Sequence, residues 1–272
     1  MRYFLQRLVI VLAVMFAVSQ FAATARADMQ PGWEAYQQGD FGKAITLWRD
    51  LADTGDARAQ YNLGIMYDQG KGVARDATQA VQWWRSAAEA NYAPAIHNLA
   101  NSLIAGDGID QDYAEAVRWL ARGADQGFAR SVYTLGKMYT YGLGVTADME
   151  KAFGLFTQAA ELGNPRAQYN LARAYRDGDG VAQDFGRAVQ WYRSAAQAGD
   201  APAQAALGQR YAKGEGVPQD VEEALYWTSL AARQRLGRAV VARAEMVQSL
   251  GAAVVEQVDA RVSAFRPRVT TQ

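Results

Sequence analysis

Apolar and polar positions alternate along this chain with the period of a helix. Between Ala57 and Tyr92, Ala59, Leu63 and Tyr67, with the small Gly64, recur three and four residues apart and make one amphipathic stripe. Gly70 and Gly72 interrupt it, as residues that turn a chain at positive φ without a Cβ penalty. Asp76 then opens a second stripe of Ala80, Trp83, Trp84, Ala87 and Ala88, and its carboxylate suits the free N–H groups and positive dipole of a helix start. Asn91 follows as an αL residue. The pattern predicts two short helices joined by a glycine turn.

The same pattern returns every 36 residues. Leu63 becomes Leu99, Leu135, Leu171 and Leu207; Gly72 becomes Gly108, Gly144, Gly180 and Gly216; Asp76 becomes Asp112, Asp148, Asp184 and Asp220. Ala80 becomes Ala116, Ala152, Ala188 and Ala224, and position 64 stays small as Ala100, Gly136, Ala172 and Gly208. Gln79, Glu115 and Glu223 stand where they could complete capping boxes. Columns kept without an insertion predict an all-α solenoid of stacked helix pairs at 57–92, 93–128, 129–164, 165–200 and 201–236.

The ends depart from the period. Residues 28–56 carry Asp40, Ala44, Trp48 and Ala52 in register behind a shortened first segment, and read as an N-terminal hairpin. After Leu236 the register fades: Arg243 stands where the invariant leucine belongs, and Val254, Val258, Val262 and Phe265 form a final stripe. Residues 237–266 are therefore expected to cap the stack, and 267–272 to be a disordered tail. Residues 1–27 read as a secretory signal peptide: Arg2 and Arg7 precede the apolar run Leu8–Val18, and Ala25-Arg26-Ala27 places cleavage before Asp28.

Composition narrows the function classes. Without Arg2, Arg7 and Arg26, 25 basic and 28 acidic residues remain, a formal charge of −3, which argues against nucleic-acid binding and against attraction to an anionic membrane surface. An exported chain with no cysteine has no disulfide framework and rests on its core alone.

The string Ala-x-Ala-x-Tyr-x-Leu-Gly-x-x-Tyr-x-x-Gly-x-Gly-Val-x-x-Asp, followed by Ala-x-x-Trp-Trp-x-x-Ala-Ala, resembles the Sel1-like repeat, a relative of the tetratricopeptide repeat. The resemblance covers Ala57 to Leu236, and the N-terminal hairpin is similar to a tetratricopeptide unit. It implies a right-handed α/α superhelix with first helices lining a concave side, and a role as an interaction scaffold. Exported bacterial members of the family include regulators that restrain a membrane sensor kinase from the periplasmic side, and others that bind host proteins. The disulfide-rich subgroup is not matched here.

Chemistry-bearing candidates reduce to the repeat itself. The Gly-x-Gly loops follow helices rather than strands, so they read as terminators rather than phosphate cradles. Asp107, Asp110 and Asp112, like Asp177, Asp179 and Asp184, lack the glutamate an EF-hand needs at loop position twelve. His97, the single histidine, sits in the aromatic column of Tyr61, Tyr133 and Tyr169. No catalytic constellation, metal site or cofactor motif is expected.

Variable positions carry the functional expectation. If first helices line a groove, positions equivalent to 58, 62, 65, 68 and 69 face it, with Arg58, Asn62, Asn98, Asn101, Arg130, Lys137, Tyr141, Arg166, Asn170, Arg173 and Arg176, beside Thr134, Gln209 and Lys213. Asn suits a peptide backbone, and Arg and Lys suit carboxylates. The sequence is thus read as a non-enzymatic periplasmic scaffold, regulatory in output. It would bind a peptide segment of another protein, periplasmic itself or the periplasmic part of an inner-membrane protein such as a sensor kinase. Alternatives are a cell-wall-associated enzyme or enzyme accessory and a secreted host-protein-binding factor.

Overall fold

The computed structural model describes residues 29–268; the expected signal peptide and the last four residues of the expected tail lie outside them. Among the described residues every regular element is an α-helix. They form two compact units, divided between Trp119 and Leu120.

The first unit begins with α1 (residues 29–37) and α2 (Phe41–Asp53), a hairpin closed by aromatic rings. Trp33 meets Trp48 edge-on at 5.3 Å, and Tyr36 meets Phe41 at 5.2 Å. Next come α3 (Ala57–Gln69), α4 (Ala77–Glu89) and α5 (Ala93–Ala105), and the unit closes within α6 (Tyr113–Asp125). The second unit carries the pairs α7 (Ala129–Tyr141) with α8 (Met149–Glu161), α9 (Pro165–Asp177) with α10 (Phe185–Gln197), and α11 (Ala201–Lys213) with α12 (Val221–Arg233). It ends in α13 (Gly237–Ser249) and α14 (Ala252–Ala264). Within each unit most consecutive helices pack on one another, as a solenoid requires.

The repeated columns divide cleanly into ends and core. Asp40, Asp76, Asp112, Asp148, Asp184 and Asp220 each accept the backbone N–H three residues on, capping every second helix. First helices end on Gly70, Gly106, Gly142, Gly178 and Gly214, all left-handed, whose N–H groups return to the last turn. A further polar device was not expected: Arg75, Gln111, Gln183 and Gln219 each reach back seven residues to a carbonyl of that turn. Glu115 and Glu223, expected in capping boxes, turn instead to the indole N–H groups of Trp119 and Trp227 four residues on.

The core is the leucine column plus a complementary pair. Leu63, Leu99, Leu171 and Leu207 are buried, and in the first four full repeats a small residue of the first helix stands opposite a large one of the second. A Cβ on Gly64 would stand 2.2 Å from Nε1 of Trp84, and one on Gly136 would stand 2.8 Å from the Phe156 ring.

At the C-terminal end α14 packs on α12 through the buried Val258 and Val262. Arg243, in place of leucine, binds both carboxylate oxygens of Asp259 at 2.8 Å and donates to Ser229 Oγ at 3.0 Å, so a polar link joins α13, α14 and α12. The start of the expected disordered tail is held: Arg268 N–H donates to the Gln197 carbonyl at 2.8 Å, and the Pro267 ring sits against Gly199.

Candidate protein-binding face

The variable positions of the first helices fare differently in the two units. In the first unit, Arg58 turns to its own helix start, pairing with the N-cap Asp56 at 2.7 Å. Burial pushes the Asp56 carboxyl up, but the Arg58 guanidinium and two backbone N–H groups more than offset it and hold it below its ordinary value. Asn62 was expected on the open face; it is only 8% exposed, because position 62 tilts toward the helix contact beside Leu63. Asn98 is half-buried, while Asn101 is exposed with its amide 3.3 Å from the ring of His97 one turn earlier.

In the second unit Arg130, Lys137, Arg166 and Arg173 are exposed, and Tyr141 is 67% exposed at the end of α7. Lys137 and Arg173 occupy one register position on α7 and α9. Asn170, half-buried, is spent on a contact between first helices, donating to the Tyr133 hydroxyl at 3.2 Å. Arg176 binds Asp177 through two nitrogens at 2.6 Å; that pairing raises the Arg176 pKa and holds the Asp177 carboxyl below its usual range. Arg166 lies near Asp200, the N-cap of α11, whose carboxyl burial pushes up despite the Ala203 N–H and this arginine.

Four of the six acidic loop residues considered for calcium are engaged otherwise: Asp107 pairs with Arg75 at 2.8 Å, Asp177 pairs with Arg176, and Asp112 and Asp184 cap α6 and α10.

Two participants on this face were not anticipated. A cavity of about 350 Å³ opens among α9, α11, α12 and α13, with Arg176, Gln209 and Arg238 among its lining residues. These occupy the positions of 68, 65 and 58 in the repeat. Arg238 lies past the last clear repeat, where the fading register hid it. Beside this face Arg210 is 5% exposed, pairs with Glu215 and donates to Gln209 Oε1 at 3.1 Å, leaving its Nε unpartnered. Its column otherwise holds Met66, Ser102, Met138 and Ala174, a departure the sequence does display. The buried Tyr192 hydroxyl is likewise unpartnered; burial raises its pKa more than neighbouring Arg176 and Arg210 lower it.

Capped helix pairs repeated without insertion, with a polar variable face, define an α/α-solenoid repeat protein. The chain belongs to the Sel1 repeat family: the sequence model of that repeat matches residues 57–92, 93–128, 129–164, 165–200 and 201–236. Among solved structures it is similar to a Sel1 repeat protein from Oxalobacter formigenes, at 34% identity over 79% of this chain and 86% of that one, with a TM-score of 0.68. It is also similar to c5321, described as a protective antigen present in uropathogenic Escherichia coli strains displaying an SLR fold, at 32% identity and a TM-score of 0.72. That match covers 91% of this chain but 55% of c5321, so the chain spans about half the length of the antigen. The immunity protein Pa5087 from Pseudomonas aeruginosa shares the fold alone, at 17% identity over 74% of this chain and 81% of that one, with a TM-score of 0.53. No curated protein sequence matches the chain. Sel1 repeat proteins are in general protein–protein interaction scaffolds, a non-enzymatic type. No helix among the described residues is long and apolar enough to cross a membrane.

Proposed function

We propose that this protein is a periplasmic adaptor that holds an extended, acidic peptide segment of an envelope partner on the first-helix face of its second unit, and that the contact regulates the partner. One observation carries the reading. Arg130, Lys137, Arg166 and Arg173 stand exposed on α7 and α9, while residues 28–272 together hold 25 basic and 28 acidic residues. A local cationic face on an acidic protein selects partners by charge complementarity rather than by bulk attraction. The partner class fits the same face: carboxylates pair with the guanidinium groups, and an extended backbone offers carbonyls to Lys137 and Arg173. A sensor kinase with a periplasmic segment is one such partner, and the leader-like residues 1–27 support delivery to that compartment.

The test is comparative capture. The exported protein and its Lys137→Glu/Arg173→Glu variant are used as baits against the same envelope extract, with circular dichroism confirming equal helicity. The reading expects a partner held by the native protein, lost in the variant, and released by salt. A partner held equally by both, or no difference between the two captures, would refute it. Fractionation of cells expressing the full chain tests the compartment separately.

A further inference from the structure

In the middle units of this protein, two large side chains close the space between a first and a second helix. Tyr133 packs on Phe156 with ring centroids 5.6 Å apart, and Tyr169 packs on Tyr192 at 5.8 Å. The first member belongs to the column Tyr61, His97, Tyr133 and Tyr169, and the second to the column Trp84, Leu120, Phe156 and Tyr192. One repeat further on, both columns shrink together, to Ala205 and Thr228. The cavity of about 350 Å³ opens at that place, and Ala205 and Thr228 both line it. Tyr169 forms one wall, and Ala206 and Ala239 add methyl groups to the lining. The void is thus the imprint of a missing aromatic pair.

We propose that this cavity is an anchor subsite for one aromatic side chain of a bound peptide, with a carboxylate of the adjacent peptide residue held at its rim by Arg238. The proposal rests on the peptide-scaffold reading above and names the side chains that the peptide must carry. The size fits, because pockets that take small ligands begin near 300 Å³. The shape fits, because a ring entering beside Tyr169 restores the ring contact that the neighbouring units make internally, in the offset or edge-on geometry aromatic pairs prefer. The charge fits as well. Arg176 is already saturated by Asp177, whereas Arg238 is exposed on the rim with no ion pair among the described residues. A few residues buried in well-packed pockets, aromatic ones prominent among them, carry most of the binding free energy of typical interfaces.

The experiment uses the purified protein and a defined probe, the peptide acetyl-Gly-Phe-Asp-Gly-amide, with control peptides in which Phe is Ala or Asp is Asn. Binding is followed by alanine and threonine methyl NMR. The expected result is saturable shifts at Ala205, Ala206, Thr228 and Ala239 with the Phe-Asp peptide, and weakening of at least about thirtyfold when Phe is replaced, the size of a hot-spot loss. Ala205→Tyr puts back the residue its column holds at 133 and 169, so it should fold at least as stably and abolish the shifts. Thr228→Phe fills the same space from α12 and should do likewise. Arg238→Gln should keep the preference for Phe over Ala and lose that for Asp over Asn. Absence of binding, equal binding of the Ala peptide, or undiminished binding by both filled variants would overturn the subsite. The two readings separate cleanly. If Ala205→Tyr still captures the partner that Lys137→Glu/Arg173→Glu loses, the subsite is wrong and the adaptor reading stands. If the peptide binds as expected while capture ignores every variant, the subsite stands and the adaptor reading falls.

Discussion

The fit of small residue against large ring is the most quantitative statement the fold makes, and Gly64 tests it. Glycine inside a helix costs about 1 kcal/mol relative to alanine, so Gly64→Ala in the middle of α3 should stabilise the protein if only propensity mattered. The structure reverses that sign. A Cβ at position 64 would lie 2.2 Å from Nε1 and 2.4 Å from Cδ1 of Trp84, and neither atom is the free end of a flexible chain. The indole is buried, and its N–H donates to the Tyr61 carbonyl at 3.3 Å, so retreat of the ring also loosens that bond. Overpacking of this kind costs about 1–3 kcal/mol, and with a clash this close to a hydrogen-bonded ring it should outweigh the propensity gain, leaving the substitution destabilising by up to roughly 2 kcal/mol. The next repeat provides its own rescue, since Ala100 there stands in the column of Gly64 and Leu120 in that of Trp84. Trp84→Leu alone leaves a cavity over Gly64, whereas Gly64→Ala/Trp84→Leu rebuilds the neighbour's pair. A double-mutant cycle by urea denaturation, read by circular dichroism, should therefore give a coupling of at least about 1 kcal/mol in favour of the double variant. A neutral or stabilising Gly64→Ala, with additive single changes, would refute the claim that this column is set by the ring opposite.

Two further outcomes follow from the helix ends and ion pairs. Asp184 Oδ1 accepts the Arg187 N–H at 2.9 Å, so Asp184→Ala should lower stability by about 1 kcal/mol and speed hydrogen exchange in the first turn of α10 before the rest of that helix. Glu115 is held below the ordinary carboxylate range chiefly by the Arg85 guanidinium at 2.7 Å, helped by the Trp119 indole N–H. Its folded pKa is the depressed one, so its share of stability is complete above the ordinary glutamate range and is lost as pH falls through that range towards the folded value. Glu115→Gln should accordingly lie below the native protein at neutral pH and converge with it in acid, as thermal unfolding across a pH series would record; a gap that widens in acid would contradict the sign.

How much of this was legible in the sequence depends on whether a residue's task is local. Helix caps, left-handed glycines and the leucine column are set within a few positions of the chain, so a period of 36 residues displays them five times over. Variable positions answer to neighbours one repeat away, and period alone does not say what those neighbours leave open. Asn170 has the right register for a groove, yet the Tyr133 hydroxyl claims it from the preceding first helix. Arg176 has the right register and charge, yet the carboxylate next in sequence neutralises it. Lys137 and Arg173 stay exposed and make no ion pair among the described contacts, although Arg173 acts through space on Asp177 one turn later. The cavity was harder still to foresee, since an alanine at 205 and a threonine at 228 each look like tolerable variation. Their meaning appears only when the two columns are known to face each other, for then two small residues in one pair signal a missing contact rather than two mild substitutions. In this repeat protein the proposed anchor subsite is therefore a paired departure: two facing columns that change together in one unit and leave unfilled the space that the two preceding units fill with rings.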